Sequence, residues 1–164
     1  MKKIVSLLFG ASFLVTNIAS AVQPKWEQWD VANSVAKEGS WLVVRQPDEG
    51  FCYIKQGYDG YGDKLEVIVK KDEIPILISP FFRGIEGSVT YWVDDGEART
   101  IPASMVLKLP HSLVQKMKRG SSLYIEFRPV GYGLKKQRLS LSGFTKAFSW
   151  LGSSECRKKV AEKF

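Results

Sequence analysis

Apolar and polar residues alternate along most of the chain beyond residue 40. The clearest segment runs from Leu123 to Arg128, where every second side chain is strongly apolar. A period of two places alternate side chains on opposite faces of a β-strand, so a half-buried strand is predicted here. The same period, or a short apolar run bounded by turn residues, marks eight further segments: 41–45, 51–55, 65–70, 74–79, 88–94, 97–101, 106–109 and 137–141.

Eight or nine short strands at regular spacing are typical of a β-sandwich or a β-barrel. The predicted fold class is all-β, an antiparallel β-sandwich with two short helices. Asp95-Gly96 lies between two of the predicted strands, and this dipeptide is a strong signal for a tight hairpin.

The period changes to that of a helix in two places. A short helix is predicted over 113–119, with basic residues in its last turn and Gly120 ending it. A second helix, predicted to begin after a capping Ser142 and to end at Gly152, closes the C-terminal end of the sandwich. Its apolar residues recur at helical spacing: Phe144, Ala147, Phe148 and Leu151. Residues 28–37 lie in a more polar segment, and an early helix is one interpretation of them.

The N-terminus has the three parts of a secretory signal peptide. Met1-Lys2-Lys3 is basic, the run from Ile4 to Val15 is apolar, and Ala19-Ser20-Ala21 provides a cleavage site. A membrane anchor is the alternative, but the apolar run is shorter than the roughly 20 residues of a spanning helix. The predicted organisation is a signal peptide, an N-terminal extension, a β-sandwich domain and a charged tail, at 1–21, 22–40, 41–156 and 157–164.

Export predicts a periplasmic protein, with secretion or display at the outer surface as alternatives, and no transmembrane segment follows the predicted cleavage site. Cleavage removes two lysines and no acid, so the formal charge falls from +7 to +5. The expected partner of a basic exported protein is an envelope or host protein, or an anionic glycan or lipid. Nucleic acid is excluded as a partner because the chain is exported. A solvated basic surface without a specific partner is the alternative.

The two cysteines, Cys52 and Cys156, both remain after the predicted cleavage. An exported chain with two cysteines most simply forms one disulfide. The wide separation of the cysteines argues against a redox C-x-x-C site. His111 is the only histidine, so a structural zinc site lacks ligands. No metal or cofactor is expected.

Catalytic candidates are few. A Ser-His-Asp hydrolase would have to use His111, and the sequence has neither G-x-S-x-G nor H-E-x-x-H. A glycosidase would need two acids at a set distance in space, which a sequence does not give. The acids available in the middle of the chain are Glu86, Asp94, Asp95, Glu97 and Glu126. The protein is therefore predicted not to be an enzyme.

Tyrosines and basic residues occur together in two predicted loops and on the first helix. Such groups stack on sugars or hold phosphate when they converge. The residues predicted for partner binding are Tyr58, Tyr61, Tyr132, Lys135, Lys136 and Arg138, with Lys116, Lys118 and Arg119 as further basic residues. The alternative is that these charges are spread over a solvated surface.

Four features make the chain similar to the invasion-associated locus B family of exported bacterial proteins. These are Trp41, Cys52, the segment 118–123 and, above all, Leu139-Ser140-Leu141-Ser142-Gly143-Phe144-Thr145-Lys146-Ala147-Phe148. The resemblance covers roughly residues 41 to 151. It implies an exported β-sandwich without known catalysis, in a family associated with bacterial interaction with host cells, and it transfers no active-site residue.

The chain departs from this family at one point. The family commonly carries a further cysteine pair before the short helix, where this chain has Ala103-Ser104-Met105-Val106. A different disulfide arrangement is therefore expected.

The predicted function is partner binding at the envelope, in host-cell association or envelope stress. The alternatives are an inhibitor or immunity-type protein directed at an enzyme such as a lysozyme, and an enzyme acting on glycan or lipid through His111 or Glu126.

Overall fold

The computed structural model describes residues 28–46, 48–56, 65–78, 84–104 and 106–157. Strands dominate these residues, with short helices at the ends and between β8 and β9. In chain order the elements are α1 (Gln28–Ala32), β1 (Ser34–Glu38), β2 (Trp41–Gln46), β3 (Phe51–Gln56), β4 (Glu66–Lys70), β5 (Ile76–Ile78), β6 (Ile85–Val93), β7 (Arg99–Pro102), β8 (Val106–Lys108), α2 (His111–Arg119), β9 (Ser122–Pro129), β10 (Lys135–Ser140), α3 (Phe144–Trp150) and α4 (Ser154–Arg157).

The strands form two antiparallel sheets. One has the order β1-β2-β3-β4-β5-β8 and the other has the order β10-β9-β6-β7. The predicted all-β sandwich is confirmed, and each of the predicted strands has a counterpart. Strand β1 was not predicted, because a bulge between Ser34 and Ala36 interrupts the period of two. It lies in the range predicted to be an extension, and it pairs with β2.

The core lies between the facing sides of the two sheets. Alternate residues of each strand turn inwards, as in β4, where Val67 and Val69 are fully buried. Helices α2 and α3 add their own apolar faces to the same cluster. Large side chains from both sheets and both helices are almost wholly excluded from solvent: Trp41, Ile54, Leu107, Met117, Leu123, Ile125, Phe127 and Phe144. Burying a side chain of this size stabilises the fold by about 1.5–3 kcal/mol.

The end of β10 leads into α3 through a close contact between backbones. Gly143 begins the helix with φ +84°, and a β-carbon there would lie 2.2 Å from the carbonyl oxygen of Glu38. The predicted cap at Ser142 is wrong, since no side chain caps this helix and the helix ends at Leu151 before Gly152. The prediction that the helix buries Phe144 is correct: its ring meets Trp41 edge-on, with centroids 4.9 Å apart.

The predicted disulfide is present. Cys52 of β3 is bonded to Cys156 of α4, and their Cα atoms are 5.1 Å apart. Both cysteines are buried, so the bond ties the C-terminal helix to the centre of the larger sheet.

One lateral side of the sandwich is closed by side-chain hydrogen bonds. The Gln137 amide pairs with the backbone of Leu65, accepting at 2.8 Å and donating at 2.9 Å. Trp41 Nε1 and Gln56 Nε2 both donate to the carbonyl oxygen of Ser140. These bonds join β10 to the larger sheet. The opposite side, where β7 and β8 lie, has no such connection among the described residues.

Helix α1 covers the outer face of the larger sheet. Lys55 of β3 is 5% exposed and forms ion pairs with Asp30 of α1 and, at 3.6 Å, with Glu66 of β4. The Tyr53 hydroxyl donates to Asp30 at 3.1 Å. Removing one partner of a buried ion pair costs roughly 3–5 kcal/mol, so this cluster fixes α1 on the sheet. Within the described residues, no helix is long and apolar enough to cross a membrane.

Candidate partner-binding surface

The outer face of the four-stranded sheet carries a row of aromatic and basic side chains. Val93, Leu123 and Leu139 turn towards the core, so the alternate residues turn outwards. The strand register places Trp92 opposite Tyr124, and Tyr124 opposite Arg138. Three strands thus bring these side chains into one row across the sheet.

The two aromatic rings of this row are stacked. The centroids of Trp92 and Tyr124 are 5.3 Å apart and the rings are inclined by 12°. A pair of this kind contributes about 0.5–1.5 kcal/mol beyond the area it buries. Both residues are only half-buried, so the stack is part of the surface.

Two cations lie against the stack. The Lys136 Nζ is 4.8 Å from the Trp92 centroid and 5.8 Å from that of Tyr124, and it also forms an ion pair with Glu126 at 3.4 Å. The Arg138 guanidinium carbon lies 6.0 Å from the Tyr124 centroid. We call Trp92, Tyr124, Lys136 and Arg138 the aromatic–basic patch. Its geometry places cations within the range of cation–π attraction.

Arg138 is the group in the patch with the most unused hydrogen-bonding capacity. Its Nε donates to the Ser122 hydroxyl at 3.0 Å, and its terminal nitrogens make no hydrogen bond with a described residue. A guanidinium in this state can hold a carboxylate, sulfate or phosphate through two parallel hydrogen bonds. The adjacent rings offer a flat apolar surface to the same ligand.

The structure brings together only part of the predicted binding set. Lys136 and Arg138 lie side by side on the outer face. Lys135 belongs to the opposite face of β10, because its register partner Phe127 is a core residue. Tyr132 is 58% exposed in the turn between β9 and β10, outside the row. Tyr58 and Tyr61 lie outside the described residues.

The basic residues of α2 are also divided. Lys116 borders a small cavity that Trp92 also lines, so it lies at the margin of the patch. Lys118 instead covers the ring of Phe148, with Nζ 3.8 Å from the centroid. Arg119 donates to the carbonyl oxygen of Gln115 within its own helix. The predicted basic surface is thus smaller than the sequence indicated.

Trp92 and Tyr124 were not predicted as binding residues. Their outward position was readable from the alternation, because each follows or precedes a core residue by one position. Their contact was not readable, since it depends on the pairing of β6 with β9, which are separated by a hairpin and a helix. The available signal for a binding surface was Trp92 itself, a tryptophan on the outward face of a half-buried strand.

Two of the candidate catalytic residues, Asp94 and His111, lie in different surroundings. Asp94 accepts hydrogen bonds from the amides of Ser121 and Ser122 and so anchors the β6–β7 turn. His111 is exposed and makes no hydrogen bond with a described residue. It lines an open depression with Asp72 and Glu73. In the described part of the chain, no three metal-ligating side chains lie close enough to hold an ion.

The comparisons with known proteins support the fold. No family model matches the chain, and no curated protein matches it. Among solved structures, the chain is similar to invasion associated protein B from Bartonella henselae, with a TM-score of 0.53 and 16% sequence identity. The match covers 71% of this chain and 94% of that protein. The resemblance seen in the sequence is therefore supported as a likeness of fold to an invasion associated protein B.

Proposed function

We propose that this protein is an exported, non-enzymatic protein of the bacterial envelope that binds a partner through the aromatic–basic patch. The observation that carries the proposal is the arrangement of the patch. A stacked Trp92–Tyr124 pair stands on an open sheet face beside Arg138, whose terminal nitrogens make no hydrogen bond with a described residue. Exposed aromatic and arginine side chains in one cluster are typical of binding surfaces.

The expected partner is anionic, either an acidic envelope or host protein or an anionic glycan or lipid. The basic net charge attracts such partners over long distances. Arg138 can then hold one acidic group while the neighbouring rings contact an apolar part of the ligand.

Three further arguments support this proposal. The N-terminal segment has the pattern of an export signal, which supports a location in the periplasm or beyond it. A disulfide is stable in those compartments. The fold resembles that of invasion associated protein B, whose name connects it with invasion. A role in host-cell association or envelope stress follows from these arguments as part of the proposal.

Crosslinking in living cells tests the surface. A photoreactive amino acid is placed at Lys116, at the margin of the patch, in one strain and at Lys37, an exposed position in strand β1 of the other sheet, in a control strain. We expect a crosslinked species from position 116 that is absent from position 37, and mass spectrometry identifies it.

The identity of the crosslinked species distinguishes the alternatives. Equal labelling from both positions, or no specific product from position 116, would contradict binding through the patch. Recovery of a lysozyme or another envelope enzyme whose activity falls on binding would replace the proposal with an inhibitor function.

A further inference from the structure

The two sheets leave an open cleft on the side of the sandwich opposite the Gln137 and Ser140 hydrogen bonds. Strand β7 ends the smaller sheet and β8 ends the larger one. Between them lies a cleft of about 630 Å³, and its apolar lining includes Ile74, Ile101 and Leu109. No residue of the aromatic–basic patch is among the described residues that line this cleft, although the small cavity bordered by Trp92 shares Tyr91 and Arg99 with it.

Both bordering strands present backbone groups that no described strand pairs with. The Ala103 amide donates to the carbonyl oxygen of Gly87, so alternation along β7 directs the Thr100 amide away from β6. The Leu109 amide donates to the carbonyl oxygen of Pro75, and the same alternation directs the Lys108 amide away from β5. An extended chain can pair with such an edge.

The cleft also carries charge that no described residue neutralises. Arg99 and Lys108 line it and form no ion pair with a described residue. Glu97 is the one acid among the described lining residues, so these residues carry one net positive charge. These two cations favour a ligand that brings a carboxylate.

Tyr91 adds a buried polar group to the same cleft. The residue is 3% exposed, and its hydroxyl makes no hydrogen bond with a described residue. Burial raises the pKa of Tyr91, while the nearby guanidinium of Arg99 lowers it in part. A neutral phenol in this position is a hydrogen-bond donor for an incoming acceptor.

We propose that this cleft binds an extended peptide segment of a partner protein, and that the segment carries an acidic side chain. Its backbone pairs with the free edge of β7 or β8. One side chain in two points into the cleft, where apolar residues contact the apolar lining. A carboxylate is held by Arg99, Lys108 and the Tyr91 hydroxyl. This interaction goes beyond the proposed function, since it uses a different surface.

Titration of the full chain, with the disulfide formed and ¹⁵N-labelled, tests the proposal by NMR. The probe is a capped peptide in which threonine alternates with valine, glutamate and valine, so that the glutamate and the valines share one face of the extended chain, and its matched control replaces the glutamate by glutamine. We expect saturable shifts of the Thr100 and Lys108 amides with the glutamate peptide. The glutamine peptide is expected to bind about tenfold more weakly, because hydrogen bonds to a charged acceptor are the stronger ones.

Three variants identify the contributing groups. Arg99→Gln combined with Lys108→Gln removes both cations, and Tyr91→Phe removes the hydroxyl while keeping the buried ring. Each is expected to weaken binding of the glutamate peptide by at least about tenfold. Lys37→Gln removes an exposed cation from β1, at the opposite edge of the larger sheet from β8, and is expected to leave the affinity unchanged. A well-dispersed spectrum shows that each variant is folded.

Four results would overturn the proposal. The first is the absence of shifts at the cleft, and the second is equal affinity for the two peptides. The third is a set of peptide-induced shifts confined to the outer face around Arg138, which would leave the proposed function standing. The fourth is a concentration-dependent shift of the cleft amides without peptide, which would mean that a second copy of the chain occupies it.

Discussion

Replacing Cys52 and Cys156 together by alanine removes the one covalent link between the larger sheet and the C-terminal helix. The cysteines are 104 residues apart in sequence, so the bond closes a long loop in the unfolded chain. The chain-entropy account assigns about 4.7 kcal/mol to a loop of this length. For a domain of this size, the loss corresponds to a fall of roughly 15 °C in the melting temperature. Alanine is preferred to serine because both positions are buried.

Urea unfolding followed by tryptophan fluorescence measures this loss. The free energy of unfolding is obtained by linear extrapolation for the oxidised protein, the reduced protein and the double alanine variant. The reduced protein is expected to resemble the variant, because both lack the bond. A loss below about 1 kcal/mol in the variant would refute the reasoning, since the bond would then hardly restrict the unfolded chain.

Three other predictions concern local contacts. Gly143→Ala is expected to cost about 2 kcal/mol more than Gly131→Ala in urea unfolding. Both glycines have a positive φ, +84° and +80°, but only at position 143 would a β-carbon meet the carbonyl oxygen of Glu38, so Gly131→Ala is the matched control for backbone strain. Hydrogen bonds from Lys146 and, secondarily, from Trp150 hold the pKa of Glu38 below its usual 4.5. The ionised Glu38 side chain therefore stabilises the protein above pH 4.5, and this stabilisation is lost as the pH falls through the lowered pKa. Urea unfolding as a function of pH should therefore show a weaker acid dependence for Glu38→Gln than for the wild-type protein, and equal curves would contradict the assignment. Arg138→Glu is expected to abolish crosslinking from a photoreactive residue at position 116, at the margin of the patch, without lowering the melting temperature by more than about 3 °C, since Arg138 is exposed. Undiminished crosslinking would exclude Arg138 from the binding surface.

Local patterns in the sequence predicted most of the strands correctly. In β9, the alternation of Leu123, Ile125 and Phe127 with polar residues defined both the strand and its buried face. The helix at 144–150 was equally clear, because its apolar residues follow one face. The details of its start were not. Ser142 is of a residue type that often caps a helix. The close approach of the Glu38 backbone, however, requires glycine at position 143.

The candidate surfaces depended on contacts that composition does not reveal. Lys135 and Lys136 are adjacent in sequence, yet only Lys136 faces Trp92, because successive residues of a strand point to opposite faces. The sequence does not distinguish Lys55 from an ordinary strand lysine. Its burial depends on α1, which places Asp30 beside it.

The sequence by itself determined the all-β class, the inward face of the alternating strands such as β9 and the pairing of the two cysteines, because these follow from short-range periodicity or from the choice of residues available. Only the tertiary structure decided which strands are neighbours. That arrangement created the Trp92–Tyr124 stack and left β7 and β8 on either side of an open cleft. The physical reason is that strand pairing is set by the burial of a common core across long sequence separations, which no local pattern encodes.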